Sequence, residues 1–201
     1  MNEIILKGQL KNITYSHTID NIDYSRAILL CKRSNSNKED SINIKFKSFS
    51  NPHNDGDIIR LKGNLRSFSE KINNDKNKVT LYVFTYFDDP GESSISDNIV
   101  NMTGRICKLN NLRTSKNGKH NIHFIIANNL LYNNDTKRLN SYIPCIAWGT
   151  LAKEIEKLSV NTKISVQGEL HSREHKKVHE NGEIEFRVAH ELHIKSFEVI
   201  D

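Results

Sequence analysis

The chain has 201 residues, with 29 Lys plus Arg against 24 Asp plus Glu, and is 36% hydrophobic and 26% charged. This composition supplies a core for one large or two ordinary domains and excludes wholesale disorder, and no stretch approaches the roughly 18 apolar residues of a membrane span. The net charge of +5 permits a polyanionic partner without demanding one.

The N-terminus carries Glu3 and lacks a long apolar run, so no secretory signal is expected. Cys31, Cys107 and Cys145 form no CxxC pair, which excludes a disulfide framework and a four-cysteine zinc site and points to reducing cytoplasm.

Taken from the start, Asn2-Glu-Ile-Ile-Leu-Lys-Gly8-Gln-Leu10 opens on Asn and reaches Gly six residues later. The same form returns as Asn98-Ile-Val-Asn-Met-Thr-Gly104-Arg-Ile106. Further along, Asp57-Ile-Ile-Arg-Leu-Lys-Gly63-Asn-Leu-Arg-Ser67 returns as Thr162-Lys-Ile-Ser-Val-Gln-Gly168-Glu-Leu-His-Ser172. Two sets of markers in one order predict two copies of one unit. Val79, Leu81, Val83 and Thr85 alternate with other residues as a strand does, whereas Ser48–Gly56 reads as a loop. The acidic, turn-forming stretch Asp88–Asp97 marks a boundary. The expected organisation is a first domain over 1–89, a linker over 90–97 and a second domain over 98–201.

In the second half, Asn117-Gly118 and Asn181-Gly182 signal hairpins. Ile122, Phe124 and Ile126, and again Ile184, Phe186 and Val188, alternate as strands. Trp148–Leu158 predicts a helix, with Leu151, Ile155 and Leu158 at i, i+4 and i+7 and Thr150 as its cap. Glycines within strands (Gly8, Gly63, Gly104, Gly168) suit sharp bends or close backbone approach. The order strand, strand, strand, helix, strand, strand is that of an oligonucleotide/oligosaccharide-binding (OB) barrel. The predicted fold class is therefore all-β, mainly β with one short helix, as two tandem five-stranded OB-fold barrels, the first lacking the helix.

A surface for unpaired nucleotides needs rings to stack bases and cations to track phosphates. The second half offers Tyr132, Tyr142, Trp148 and Phe186 among Arg105, Arg113, Lys116, Lys119, Lys137, Arg138 and Arg173. The first offers Tyr24, Phe46, Phe49, Phe68, Tyr82 and Tyr86 among Arg26, Lys32, Arg33, Lys45, Lys47 and Arg66. Strand aromatics are more often core, and periodicity does not say which face each ring takes.

Asn98–Ile106, Arg113–Lys119, Ile122–Ala127, Tyr142–Ala152 and Lys163–Arg173 together resemble the bacterial single-stranded DNA-binding protein family across nearly the whole second half. Through Arg33-Ser34, Asp40 and Gly63-Asn-Leu-Arg66-Ser67-Phe68, the first half is similar to the divergent N-terminal barrel of two-barrel members from clostridia-like bacteria and mobile elements. The resemblance implies single-stranded DNA binding largely independent of sequence, in support of replication, recombination or repair. It places stacking at Tyr132, Tyr142, Trp148 and, with His replacing the family's ring, His175. Arg105, Arg113, Lys116, Lys119 and Arg173, with Arg33, Arg66 and Phe68 of the first half, complete the expected DNA-binding set. It also implies a homodimer with four barrels, and replication or recombination proteins as further partners. The sequence ends at Asp201 directly after a strand rather than in the family's acidic tail, which favours a specialised or element-encoded member.

Two other readings stand beside this one. The barrels of an accessory adaptor would mainly bind a protein partner. A metal-dependent hydrolase would use His171, His175 and His179 with His190 and His193. The hairpin signal at Asn181-Gly182 argues against a helical metal face, so no metal and no cofactor are expected. Cys145 lies in an apolar strand, as an inert buried thiol does, and no catalytic signature is present, so the chain is not expected to be an enzyme.

Overall fold

In the computed structural model, the described residues are 1–33, 36–48, 53–73, 76–88, 98–132, 137–178 and 182–200, without the side chains of 71–73, 76–78, 86–88, 130–132, 137–139 and 177. The 90–97 linker, Phe49 and His179, and the side chains of Tyr86, Tyr132, Lys137 and Arg138, thus lie outside the described residues.

The first half consists of β1 (Asn2–Ile19), β2 (Ile22–Lys32), β3 (Glu39–Lys47), β4 (Ile58–Asn73) and β5 (Lys76–Asp88). The second runs β6 (Asn98–Leu109), β7 (Arg113–Thr114), β8 (His120–Tyr132), β9 (Lys137–Trp148), α1 (Thr150–Glu156), β10 (Lys163–Val178) and β11 (Ile184–Val199). Mostly β structure with one short helix is thus as the alternating pattern requires.

The expected pair of five-stranded barrels is not what forms. All strands among the described residues belong to a single eleven-stranded sheet, in the order β2-β3-β5-β4-β1-β6-β10-β11-β9-β8-β7. Additional pairings of β2 with β1 and of β6 with β8 curl each half into a five-stranded ring, but neither ring is a barrel. The physical reason lies in the ladders. β1 and β6 pair antiparallel from Asn2↔Met102 to Leu6↔Asn98, so the first strand of each half serves the other half as well as its own. The parallel ladders that bring the rings round are short, three residue pairs for β3–β5 and two for β9–β11.

The interior follows the two-residue period of a strand, which turns alternate side chains to opposite faces. Ile42, Ile44 and Phe46 of β3 and Ile143, Cys145 and Ala147 of β9 point inward and are buried. Gly63 and Gly168 occupy points where an added Cβ would collide with the carbonyl oxygens of Phe84 and His193, so these strand positions require glycine. The Asn markers act alike in both halves. Asn2 donates to Leu65 O at 2.8 Å and accepts from Leu65 N at 2.9 Å; Asn98 does the same with Leu170, at 2.8 and 2.9 Å.

The halves meet again on either side of the β1–β6 ladder. Ser41 N donates to Ser172 Oγ at 2.9 Å, and Tyr142 N donates to Ser67 Oγ at 2.7 Å.

The helix differs from its expected form. It spans seven residues, and its N-cap is Gly149 at φ 63, with no side-chain cap hydrogen bond. Thr150 is therefore the first helical residue and not the cap, because β9 runs straight into a left-handed Gly that turns the chain. Ala152 and Ile155 are its buried residues, while Leu151 and Leu158 pack against the core from its rim.

Candidate nucleic-acid interface

Because Ile143, Cys145 and Ala147 of β9 face inward, Tyr142, Pro144, Ile146 and Trp148 share the outer face. Tyr142 is 44% exposed and Trp148 41% exposed. They lie six positions apart, about 20 Å at roughly 3.3 Å per residue. Both present ring surface to solvent. The third expected ring, Tyr132, ends β8 opposite Lys137, and its side chain lies outside the described residues. His175 is exposed on β10, opposite Arg187 of β11.

Cations lie on one side of Trp148. It borders a recess of about 440 Å³ shared with Lys119, His120, Gly149 and Lys153. Lys116 and Arg113 are exposed on the same β7–β8 hairpin, which turns at Gly118 with φ 74. On its other side, Trp148 reaches a cleft of about 630 Å³ between the halves, of mixed charge, where Lys38 and Arg173 stand with Glu39, Glu174 and Glu191 beside His123 and His193. Arg173 is 69% exposed, with Nε 3.8 Å from Glu191. Arg105 is exposed and donates from Nη1 to Asn161 O at 2.8 Å. Lys153 and His123 are additions to the expected set; helical spacing puts Lys153 opposite the buried face, where it reads as an ordinary solvated residue.

Two expected phosphate contacts are committed elsewhere. Arg66 is buried, its guanidinium 4.3 Å from the centroid of the Phe84 ring. Arg33 makes a bidentate pair with Asp40, from Nε at 2.9 Å and Nη2 at 2.6 Å, and Nη2 also donates to Ser172 O at 2.8 Å. Phe68, by contrast, is 59% exposed on β4.

Asp40 is the centre of a polar lock between the halves. It is 1% exposed and accepts from His171 Nδ1 at 2.8 Å and Ser172 N at 2.6 Å as well as from Arg33. Burial alone would raise its pKa, but the bonds from His171, Arg33 and Ser172 hold it well below the usual carboxylate range. The other nitrogen of His171 faces Glu169 at 3.2 Å. His190 Nε2 donates to Ser41 O at 2.7 Å, and burial pushes its pKa down. His193 lies edge-on to His171 at 4.5 Å, and burial, with the positive charges of His171, Arg33 and Lys195, pushes its pKa down to about 4.

His171 and His190 thus bond across the halves, and among the described residues no cluster of His, Cys, Asp and Glu is arranged to hold a metal. Cys145 is buried, its thiol donates to Ile143 O at 3.3 Å, and burial pushes its pKa up. No helix among the described residues is long and apolar enough to cross a membrane.

The second half matches a described family. A model of the single-strand binding protein family matches residues 97–200, just over half of the chain. The wild-type single-stranded DNA binding protein from Thermus aquaticus superposes with a TM-score of 0.73 at 17% identity, covering 100% of this chain and 93% of that one. A deletion mutant of the same Thermus aquaticus protein gives 0.73 and 17%, covering 100% and 94%. At this identity the likeness is one of fold. No curated protein matches the chain.

Proposed function

The chain belongs to the single-strand binding protein family, and from that premise we propose that unpaired bases stack on the outer face of β9, at Tyr142 and Trp148. Arg113, Lys116, Lys119, Lys153 and Arg173, grouped about the Trp148 end, neutralise phosphates, with His175 extending the surface along β10. The chain binds single-stranded DNA through an OB-fold and is not an enzyme. Such binding supports replication, recombination or repair. Every base has a π-face, so rings accept any sequence while the cations track the backbone.

The observation that carries this placement is the pair of rings, 44% and 41% exposed, on one face of one strand. Trp148 is the sole Trp of the chain, so its fluorescence reports directly on the site. Oligo-dT quenches that emission in proportion to binding. In Trp148→Ala, the anisotropy of a labelled oligonucleotide reads a loss of about 1–3 kcal/mol, with the melting temperature kept. Full affinity in the variant, or unchanged emission at saturating oligo-dT, overturns the placement.

The halves, 1–89 and 98–201, are read as copies of one unit joined through 90–97. The paired bonding of Asn2 with Leu65 and Asn98 with Leu170 supports this. The Arg33-Ser34 and Gly63–Phe68 motifs favour a tandem member of the clostridia-like or mobile-element type. A cytoplasmic homodimer is expected on the same resemblance, with replication or recombination proteins as partners. A light-scattering mass of one chain removes the dimer.

A further inference from the structure

The ladders relate the two halves residue by residue. Leu65 pairs with Val83, which lies beside Ile44; Leu170 pairs with Leu192, which lies beside Cys145. The repeat markers equate Leu65 with Leu170, so Ile44 stands where Cys145 does. Counting along β3 and β9 from there, Tyr142 and Trp148 have Ser41 and Lys47 as counterparts, and His175 has Glu70. The first half has no ring at any of these three positions.

Its outer face is nevertheless not a plain polar one. Phe68 is 59% exposed on β4. Tyr82 of β5 is its diagonal neighbour, since Phe68 pairs with Thr80 and Arg66 with Tyr82. Lys45 holds its ammonium 4.8 Å from the centroid of the Tyr82 ring, and Arg26 pairs with Lys45 across the β2–β3 ladder. These four side chains line a groove of about 470 Å³ together with Thr14 and Asn43. The described residues lining it include no acid.

The equivalent places in the second half are filled differently. By the same register Phe68 corresponds to Arg173 and Tyr82 to Glu191, a pair 3.8 Å apart. Where one half has an ion pair, the other has two rings.

We infer that the first half carries a base-stacking groove of its own, in which Phe68 and Tyr82 take bases of single-stranded DNA and Lys45 and Arg26 take the phosphates. Two cations without an opposing acid attract a polyanion, and an exposed ring beside them supplies the stacking face. The groove rests on the proposed DNA binding of the chain as a whole and adds a second, independently placed contact to it. A strand that reaches from β9 of one half to β4–β5 of the other occupies more nucleotides than one held by the second half alone.

The test uses the full chain with two variants, Phe68→Ala and Lys45→Glu. A short oligo-dT is followed by Trp148 quenching, which reports the second half. A long labelled oligo-dT is followed by anisotropy, with melting temperatures measured in parallel. Short-oligonucleotide quenching is expected to match wild type in both variants, because neither residue borders Trp148. Long-oligonucleotide affinity is expected to fall about tenfold or more, with fewer nucleotides occupied per chain. Wild-type affinity and site size on the long oligonucleotide in both variants overturn the inference, assign the groove to an occupant other than DNA, and leave the β9 site standing. A wild-type chain that binds neither oligonucleotide overturns the inference and the DNA-binding reading together.

Discussion

Replacing Asp40 by Asn keeps the side chain's shape and removes its charge at the centre of the polar lock. Oδ1 accepts from Arg33 Nη2 and Ser172 N; Oδ2 accepts from Arg33 Nε and His171 Nδ1. An amide has one acceptor oxygen, so in either orientation its NH2 group faces two donors. Arg33 is left without a counter-charge at a site where Asp40 is 1% exposed and Arg33 24% exposed. Breaking a buried pair costs roughly 3–5 kcal/mol, and the partial exposure of Arg33 places Asp40→Asn near the lower end, about 3 kcal/mol. In a chain of this size each kcal/mol moves the melting temperature by about 2–4 °C, so a fall of roughly 6–12 °C is expected by calorimetry at pH 7. Glu39→Gln, an exposed change on the same strand, serves as the control and stays within about 0.5 kcal/mol. A melting temperature for Asp40→Asn within 2 °C or so of wild type would refute the reasoning, because the carboxylate would then contribute no more than a surface pair.

The same lock sets an acid limit. The unfolded chain protonates His193 near 6.5, whereas burial and its cationic neighbours hold the folded value at about 4. Above 6.5 the group is neutral in both states and adds nothing. As pH falls from 6.5 to 4 only the unfolded state takes up the proton, so stability declines by about 3 kcal/mol. His190, lowered chiefly by burial, acts in the same direction. Asp40, whose folded pKa is depressed, contributes stability that is full above the unfolded value and drains away at still lower pH. His193→Gln is expected to flatten melting temperature against pH between 6.5 and 4; an undiminished slope removes His193 as its source. At the proposed DNA interface, Arg113→Ala is expected to make the log–log salt dependence of oligo-dT affinity shallower by about 0.7. Titrations at several NaCl concentrations read this, and an unchanged slope shows that Arg113 meets no phosphate.

What could be read from the sequence was what local rules dictate. Gly63 and Gly168 stand out in strands because only a missing Cβ admits a neighbouring carbonyl, and that demand is written at the position itself. The even spacing of Tyr142 and Trp148 puts them on one face of a strand, but their exposure depends on Ile143, Cys145 and Ala147 taking the inside. Arg33 was not legible. A cation looks the same in sequence whether it meets a phosphate or a carboxylate, and one of its bonds reaches Ser172, 139 residues away. His171, His190 and His193 gather because β10 and β11 pair, and the bonds of His171 and His190 to Asp40 and Ser41 follow only because β3 of one half packs on β10 of the other. The joining of β1 to β6 was hidden for a related reason: an apolar first strand carries one signal whether it pairs within its half or outside it.

The contrast between inner and outer positions explains how one scaffold carries two unlike surfaces. Leu65 and Leu170, each held by an Asn through two backbone bonds, are tied to every neighbour they touch, so a change there disturbs many contacts at once. Outer positions face water and change one at a time at little cost to stability. The interior therefore keeps its pattern while the outer row exchanges Ser41 for Tyr142, Lys47 for Trp148, Phe68 for Arg173 and Tyr82 for Glu191. These rings sit on β9 in one half and on β4–β5 in the other, so on the proposed reading a bound strand crosses different strands in each. The family match over residues 97–200 covers only the proposed β9 surface, and the proposed groove of the first half comes from following the ladders.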